Sequence, residues 1–147
     1  MCIPKNRARV FWTRASSSTN MTPPILLIGV GNPSRRDEGV GVEVVRYIEA
    51  KSLSNVEIKI VGEDDPSLTK LWNGRKAVLI FDAVSSHTEP GTIHRIDAVA
   101  QKVPPDFFLS HVHSSTLAEA VEMARSLKEL PPVLVLYGIE GADSAKG

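Results

Sequence analysis

Two carboxylates and a closely spaced pair of histidines are the residues of this chain best suited to chemistry. Glu38 lies within a glycine-rich stretch, Gly29-Val-Gly31-Asn32-Pro-Ser-Arg-Arg-Asp37-Glu38-Gly39-Val-Gly41, and Asp82 follows the apolar run Ala77 to Phe81. His111 and His113 bracket Val112 shortly before a long amphipathic segment. Two carboxylates and one imidazole supply three ligands to a divalent first-row metal and leave positions open for a second molecule. Plainer readings stand beside this one. Acidic side chains stabilise the positive end of a helix, and for Asp37 helix capping is the favoured role. An aspartate at a strand end is often structural, and the His-Val-His rings equally suit a loop that faces water.

Other chemistries fit less well. A glycine-rich loop between strand and helix matches the placing of a dinucleotide-binding turn. Here, however, Ser34 stands where the third glycine belongs, and Asp37 and Glu38 would set two negative charges at the helix end meant for phosphate. Ser110, Ser114 and Ser115 lie near the expected site, but serine catalysis requires a positioned base and an oxyanion hole. Helix capping is the expectation for these serines. The chain contains no His-Glu-x-x-His helix of the zinc-protease kind, and no catalytic nucleophile or base is assigned.

The elements that position these groups follow from hydrophobic periodicity. Ile25 to Ile28 is a short apolar run stopped by turn residues, which predicts a buried strand. Val40, Val44, Val45 and Ile48 recur at helical spacing and predict a helix from Glu38 to about Ser52. Val56, Ile58 and Ile60 alternate as in a half-buried strand, and a short helix follows Pro66 through Leu68, Leu71 and Trp72. Ala77 to Phe81 predicts a strand covered on both faces, with Asp82 at its carboxyl end. Thr92 to Ile96 reads as an antiparallel edge strand. Leu117, Val121, Ala124 and Leu127 predict a helix starting near His113 to Ser115, and Val133 to Tyr137 the last strand, closed by Gly138. The expected fold is a three-layer α/β domain: a mostly parallel twisted sheet of about five strands, helices on both faces, and one antiparallel edge strand. In such sheets ligands gather at the carboxyl ends of the strands.

Length and charge bound the rest. The 147 residues, 42% apolar and 23% charged, suit one domain. Seventeen basic against seventeen acidic side chains offer no field for a nucleic-acid backbone. Cys2 is the only cysteine, which suits a reducing compartment, and no apolar run is long enough to cross a bilayer. The expectation is a cytoplasmic protein, a monomer in preference to an oligomer, with neither nucleic acid nor membrane as partner. Residues 1–22 carry Lys5, Arg7, Arg9 and Arg14 without an acidic residue. They read as a disordered basic tail of transit-peptide type or as the product of an upstream start with Met21 as the true initiator. Residues 23–142 then form the domain and 143–147 a flexible end.

Five segments in order carry a family resemblance. Gly-Val-Gly-Asn-Pro-Ser-Arg-Arg-Asp-Glu-Gly-Val-Gly-Val (29–42), Val-Leu-Ile-Phe-Asp-Ala-Val (78–84), Pro-Gly-Thr-Ile-His-Arg (90–95), His-Ser-Ser-Thr-Leu-Ala-Glu-Ala (113–120) and Val-Leu-Val-Leu-Tyr-Gly-Ile-Glu-Gly (133–141) resemble the hydrogenase maturation proteases. The resemblance implies an endopeptidase that cuts a C-terminal extension from a nickel-iron hydrogenase large-subunit precursor once nickel is in place. It implies Glu38, Asp82 and His113 as the residues that meet the metal; the pattern selects His113, with His111 as the fallback, and gives His87 and His94 only surface or turn roles. Nickel enters as cargo of the precursor, recognised by the enzyme. A non-catalytic, nickel-dependent precursor-binding module on the same fold is the alternative reading. Two features depart from the family pattern. The family's closing segment and C-terminal helix after Gly-Ile-Glu-Gly are not found before Gly147, so one sheet face is expected to be undercovered, and Gly62-Glu-Asp-Asp-Pro66 lacks the Gly-Thr-x-Gly loop of some members.

Overall fold

Alternation of apolar side chains in short runs builds the centre of the molecule. A computed structural model describes residues 23–31, 39–62, 67–105, 107–108, 111–112 and 115–141. Strands β1 (Ile25–Val30), β2 (Val56–Val61), β3 (Ala77–Val84), β4 (Ile93–Asp97) and β7 (Val133–Glu140) form one sheet in the order β2-β1-β3-β7-β4. The first four strands of that order run parallel, and β4 joins the edge antiparallel to β7. This is the expected fold class.

Side chains two apart share a face, so each strand feeds two cores. Leu26, Ile28, Val78, Ile80, Leu134 and Leu136 pack beneath α2 (Leu68–Trp72) and α3 (Leu117–Ser126), which contribute Leu68, Trp72, Leu117, Val121 and Ala124. On the other face Leu27, Phe81 and Ile139 meet Val45 of α1 (Val40–Glu49), with Val40, Val44 and Ile48 alongside. Trp72 is fully enclosed and its indole N–H donates to the Glu129 carbonyl at 3.0 Å, so its polar edge is satisfied as burial requires. The α1 face is thinly roofed: that helix lies over β1 and β3, while Ile93 and Val133 are left exposed.

Three boundaries differ from the sequence reading. β3 does not stop at Phe81 but continues through Asp82 and Ala83 to Val84, because β7 runs past Tyr137 and Gly138 and pairs with it as far as Val84↔Glu140. Helix α3 begins at Leu117 instead of near His113 to Ser115. Residues Ser115–Thr116 form the short strand β6, paired antiparallel with β5 (His111–Val112). The cap is therefore neither Ser114 nor Ser115. Thr116 accepts from the Glu119 amide at 3.1 Å and Glu119 returns a carboxylate to the Thr116 amide at 3.0 Å, a reciprocal capping box.

Candidate functional site

The strand order reverses direction between β1 and β3, the place where open α/β sheets present a crevice. The pairing of β1 with β3 ends at Gly29↔Phe81, whereas β3 stays paired to β7 through Val84. Gly31, with φ of 137°, turns the chain away at the end of β1 and donates its amide to the Val61 carbonyl on β2 at 3.1 Å. Asp82 is the first residue beyond the last β1–β3 pair. It is fully buried, and its Oδ1 accepts from the Ala83 amide at 2.7 Å.

Two close approaches frame this point. On the α1 face, a methyl group on Gly41 would run into the Phe81 carbonyl oxygen and lie 3.0 Å from the Val30 carbonyl oxygen. A methyl group on Gly29 would lie 2.5 Å from Val45 Cγ2 and 2.7 Å from the Gly41 carbonyl oxygen. The glycines of the first motif are thus the means by which the first turn of α1 sits directly on the ends of β1 and β3. On the edge of β3 that β1 has left, Phe108 forms an isolated antiparallel bridge with Val84, two residues beyond Asp82, and its side chain joins the core on the α3 face. Gly138, paired with Asp82, leaves room for that loop; a side chain there would strike Val84 Cγ1 and lie 3.1 Å from the Phe107 ring.

Of the residues expected to meet a metal, Asp82 lies at this crevice, while Glu38 and His113 fall outside the described residues. Asn32, Asp37, Ser110 and Ser114 fall outside them as well, and His111 is described as backbone of β5 alone. Gly39, the neighbour of Glu38, is buried at the N-terminus of α1. Among the described residues no three His, Cys, Asp or Glu side chains gather in a metal-holding group.

A second polar centre lies at the same end of the sheet, and nothing local in the sequence announces it. Glu140 ends β7 and is 4% exposed. Its Oε1 accepts from Ser86 Oγ at 2.6 Å and Thr88 Oγ1 at 2.9 Å, and the Ser86 amide points between its two oxygens at 3.1 and 3.2 Å. Both hydroxyl protons are committed to the carboxylate, so His94 Nε2, 3.1 Å from Ser86 Oγ and 3.2 Å from Thr88 Oγ1, must donate to them. The ring of His94 also packs edge-on against Phe107, with centroids 5.1 Å apart. His94, 25% exposed on β4, is therefore part of a half-buried network and not a turn residue; His87, exposed at φ of 65°, is the turn residue of the two.

Burial raises the Glu140 carboxyl, but the hydrogen bonds from Ser86 and Thr88, with His94 nearby, outweigh it and hold the group below its ordinary 4.5. A depressed folded-state value means that the contribution is fully present above the unfolded value and lost as pH falls through the folded one. Glu140→Gln is therefore expected to flatten the loss of stability below about pH 4.5. Urea melts of both proteins between pH 3 and 7 check this, and parallel pH curves would refute it.

Among the described residues no helix is long and apolar enough to cross a membrane. Residues 42–146 match the family model described as HycI, hydrogenase maturation protease. The chain is 31% identical to the hydrogenase 2 maturation protease of Escherichia coli, over 78% of its own length and 71% of that protein's. It is 32% identical to the hydrogenase expression/formation protein HupD of Rhizobium leguminosarum over 82% of its length, and spans 61% of that relative and 54% of the HupD of Thiocapsa roseopersicina. The solved hydrogenase maturating endopeptidase HybD from E. coli superposes with a TM-score of 0.57 at 31% identity, over 79% of this chain and 73% of that one.

Proposed function

The chain belongs to the hydrogenase maturation protease family, and we propose that it is an endopeptidase that removes a C-terminal extension from a nickel-iron hydrogenase large-subunit precursor after nickel insertion. In this reading Glu38, Asp82 and His113 meet a nickel ion that the precursor carries, so that docking depends on the ion being there. Carboxylate and imidazole donors suit a borderline divalent metal, which would still hold ligands of the precursor.

The observation that carries the reading is the setting of Asp82. It is a fully buried carboxylate at the point where β1 and β3 part, with Gly41 against the Phe81 carbonyl and Phe108 bridged to Val84 along the strand edge. Gly41 lies three residues after Glu38, and Phe108 five before His113. Both flanking segments therefore run to the end of the strand that bears Asp82, which supports a shared site. Hydrolysis adds water across one peptide bond, its oxygen to the carbonyl carbon and a proton to the departing amine. A metal beside that carbonyl would polarise it or the water. The single cysteine, Cys2, suits a reducing compartment, in keeping with a protein at work in the cytoplasm.

Incubating the chain with nickel-loaded precursor and with nickel-free precursor tests the proposal by intact mass. Loss of a C-terminal peptide from the loaded form alone is the expected result. Nickel-dependent binding with no cleavage would assign the chain instead to a precursor-recognition module.

A further inference from the structure

We propose that Glu140 is a positioning residue for this reaction, its buried carboxylate tying the segment that leaves β3 to the ends of β7 and β4 and so fixing where Asp82 is held. The inference rests on the reading of Asp82 given above. Past Phe81, the strand beside β3 among the described residues is β7, through the pairs Asp82↔Gly138, Ala83↔Ile139 and Val84↔Glu140, while the other edge carries the single bridge from Val84 to Phe108. The placement of Asp82 thus depends in large part on how firmly the ends of β3 and β7 are joined.

Glu140 is the joint. Its side chain takes the Ser86 amide and the Ser86 and Thr88 hydroxyls. Its backbone carbonyl accepts from the Gly91 amide at 2.7 Å, and its own amide donates to the Thr92 carbonyl at 2.9 Å. One residue therefore gathers both arms of the connection from β3 to β4. His94, on β4, closes the group from the far side through Ser86 and Thr88. Catalytic use of Ser86 as a nucleophile fits this geometry poorly. A carboxylate that already accepts two hydroxyls and an amide is a weak base, and His94 reaches the same hydroxyls with the same nitrogen, so no relay from serine through imidazole to acid is formed.

A displacement of a reacting group by about 1 Å costs about a hundredfold in rate. Glu140→Ala is accordingly expected to lower kcat/KM for nickel-loaded precursor about 10- to 100-fold, mainly through KM, at a temperature where the variant remains folded. Glu140→Gln, which keeps one acceptor oxygen for the two hydroxyls, should recover most of the loss. Amide hydrogen exchange at Ala83 and Val84 should quicken in Glu140→Ala even without precursor. If Glu140→Ala proves unfolded, Ser86→Ala, which deletes one donor and keeps the carboxylate, should shift KM and exchange in the same direction by less. Unchanged exchange at Ala83 and Val84, or a lowered melting temperature with KM and kcat intact, would overturn the proposal. A wild-type chain that fails to cleave loaded precursor would instead overturn the endopeptidase reading, and the exchange measurement would still decide the role of Glu140.

Discussion

Asp82→Asn is expected to lower cleavage of nickel-loaded precursor about 10²- to 10³-fold, the loss typical of removing one polar group aimed at a reacting centre. The protein should remain folded. Asparagine keeps the Oδ1 acceptor that the Ala83 amide uses and loses the charge that a metal ligand supplies. A residue kept only for packing would change stability and leave cleavage alone; one that meets a metal on the substrate loses cleavage in a folded protein. Intact-mass assays beside thermal melts read both, and an Asp82→Asn protein with full activity would remove this carboxylate from the site.

The largest effect on stability is expected at Gly41. On helix propensity alone, alanine at a helical position gains about 1 kcal/mol over glycine. Here the added methyl meets backbone, the carbonyl oxygens of Phe81 and Val30, which cannot swing aside as a side-chain tip can. Overpacking of this kind costs about 3 kcal/mol, or about 10 °C in melting temperature for a chain of this size. The sign of the shift is thus the test. A stabilised Gly41→Ala protein would mean that α1 does not sit on the strand ends as described.

Most elements could be read from period and punctuation because their signals are local. Val56 to Val61 alternates, Leu68 to Trp72 follows a proline, and Val40 to Ile48 repeats at helical spacing. The errors lie where a partner distant in sequence decides. A charged residue after Phe81 looked like the end of a strand, yet Ala83 and Val84 remain in the sheet because Ile139 and Glu140 lie beside them. The start of α3 was legible in principle. Of Ser114, Ser115 and Thr116, only Thr116 has a glutamate three residues on, which is the capping-box spacing.

The network around Glu140 had no such signal. Ser86, His94 and Glu140 are brought together across 8 and 54 residues of chain, and the imidazole that lacked a place in the family pattern is one of its members. For the candidate site itself, the sequence order placed Asp82 near the carboxyl end of β3, and it lies there, just past the last β1–β3 pair. What it did not contain was the reason for the glycines: Gly29 and Gly41 suggest a loop for a ligand and turn out to be a bare surface for helix against strand.

The place of β7 also has a consequence during synthesis. Although it is the last strand of the sheet to be made, it lies inside it, between β3 and β4. A growing chain can pair β1 with β2 and β3, but Asp82 gains its neighbour Gly138, and β4 its partner strand among the described residues, when residues 133–140 have left the ribosome. Contacts this distant in sequence form slowly, and until they do β3 and β4 each offer an open edge to other chains. Translation therefore delivers the sheet and the seat of Asp82 in a single late event, and an interrupted product is expected to aggregate instead of persisting as a partly active protease.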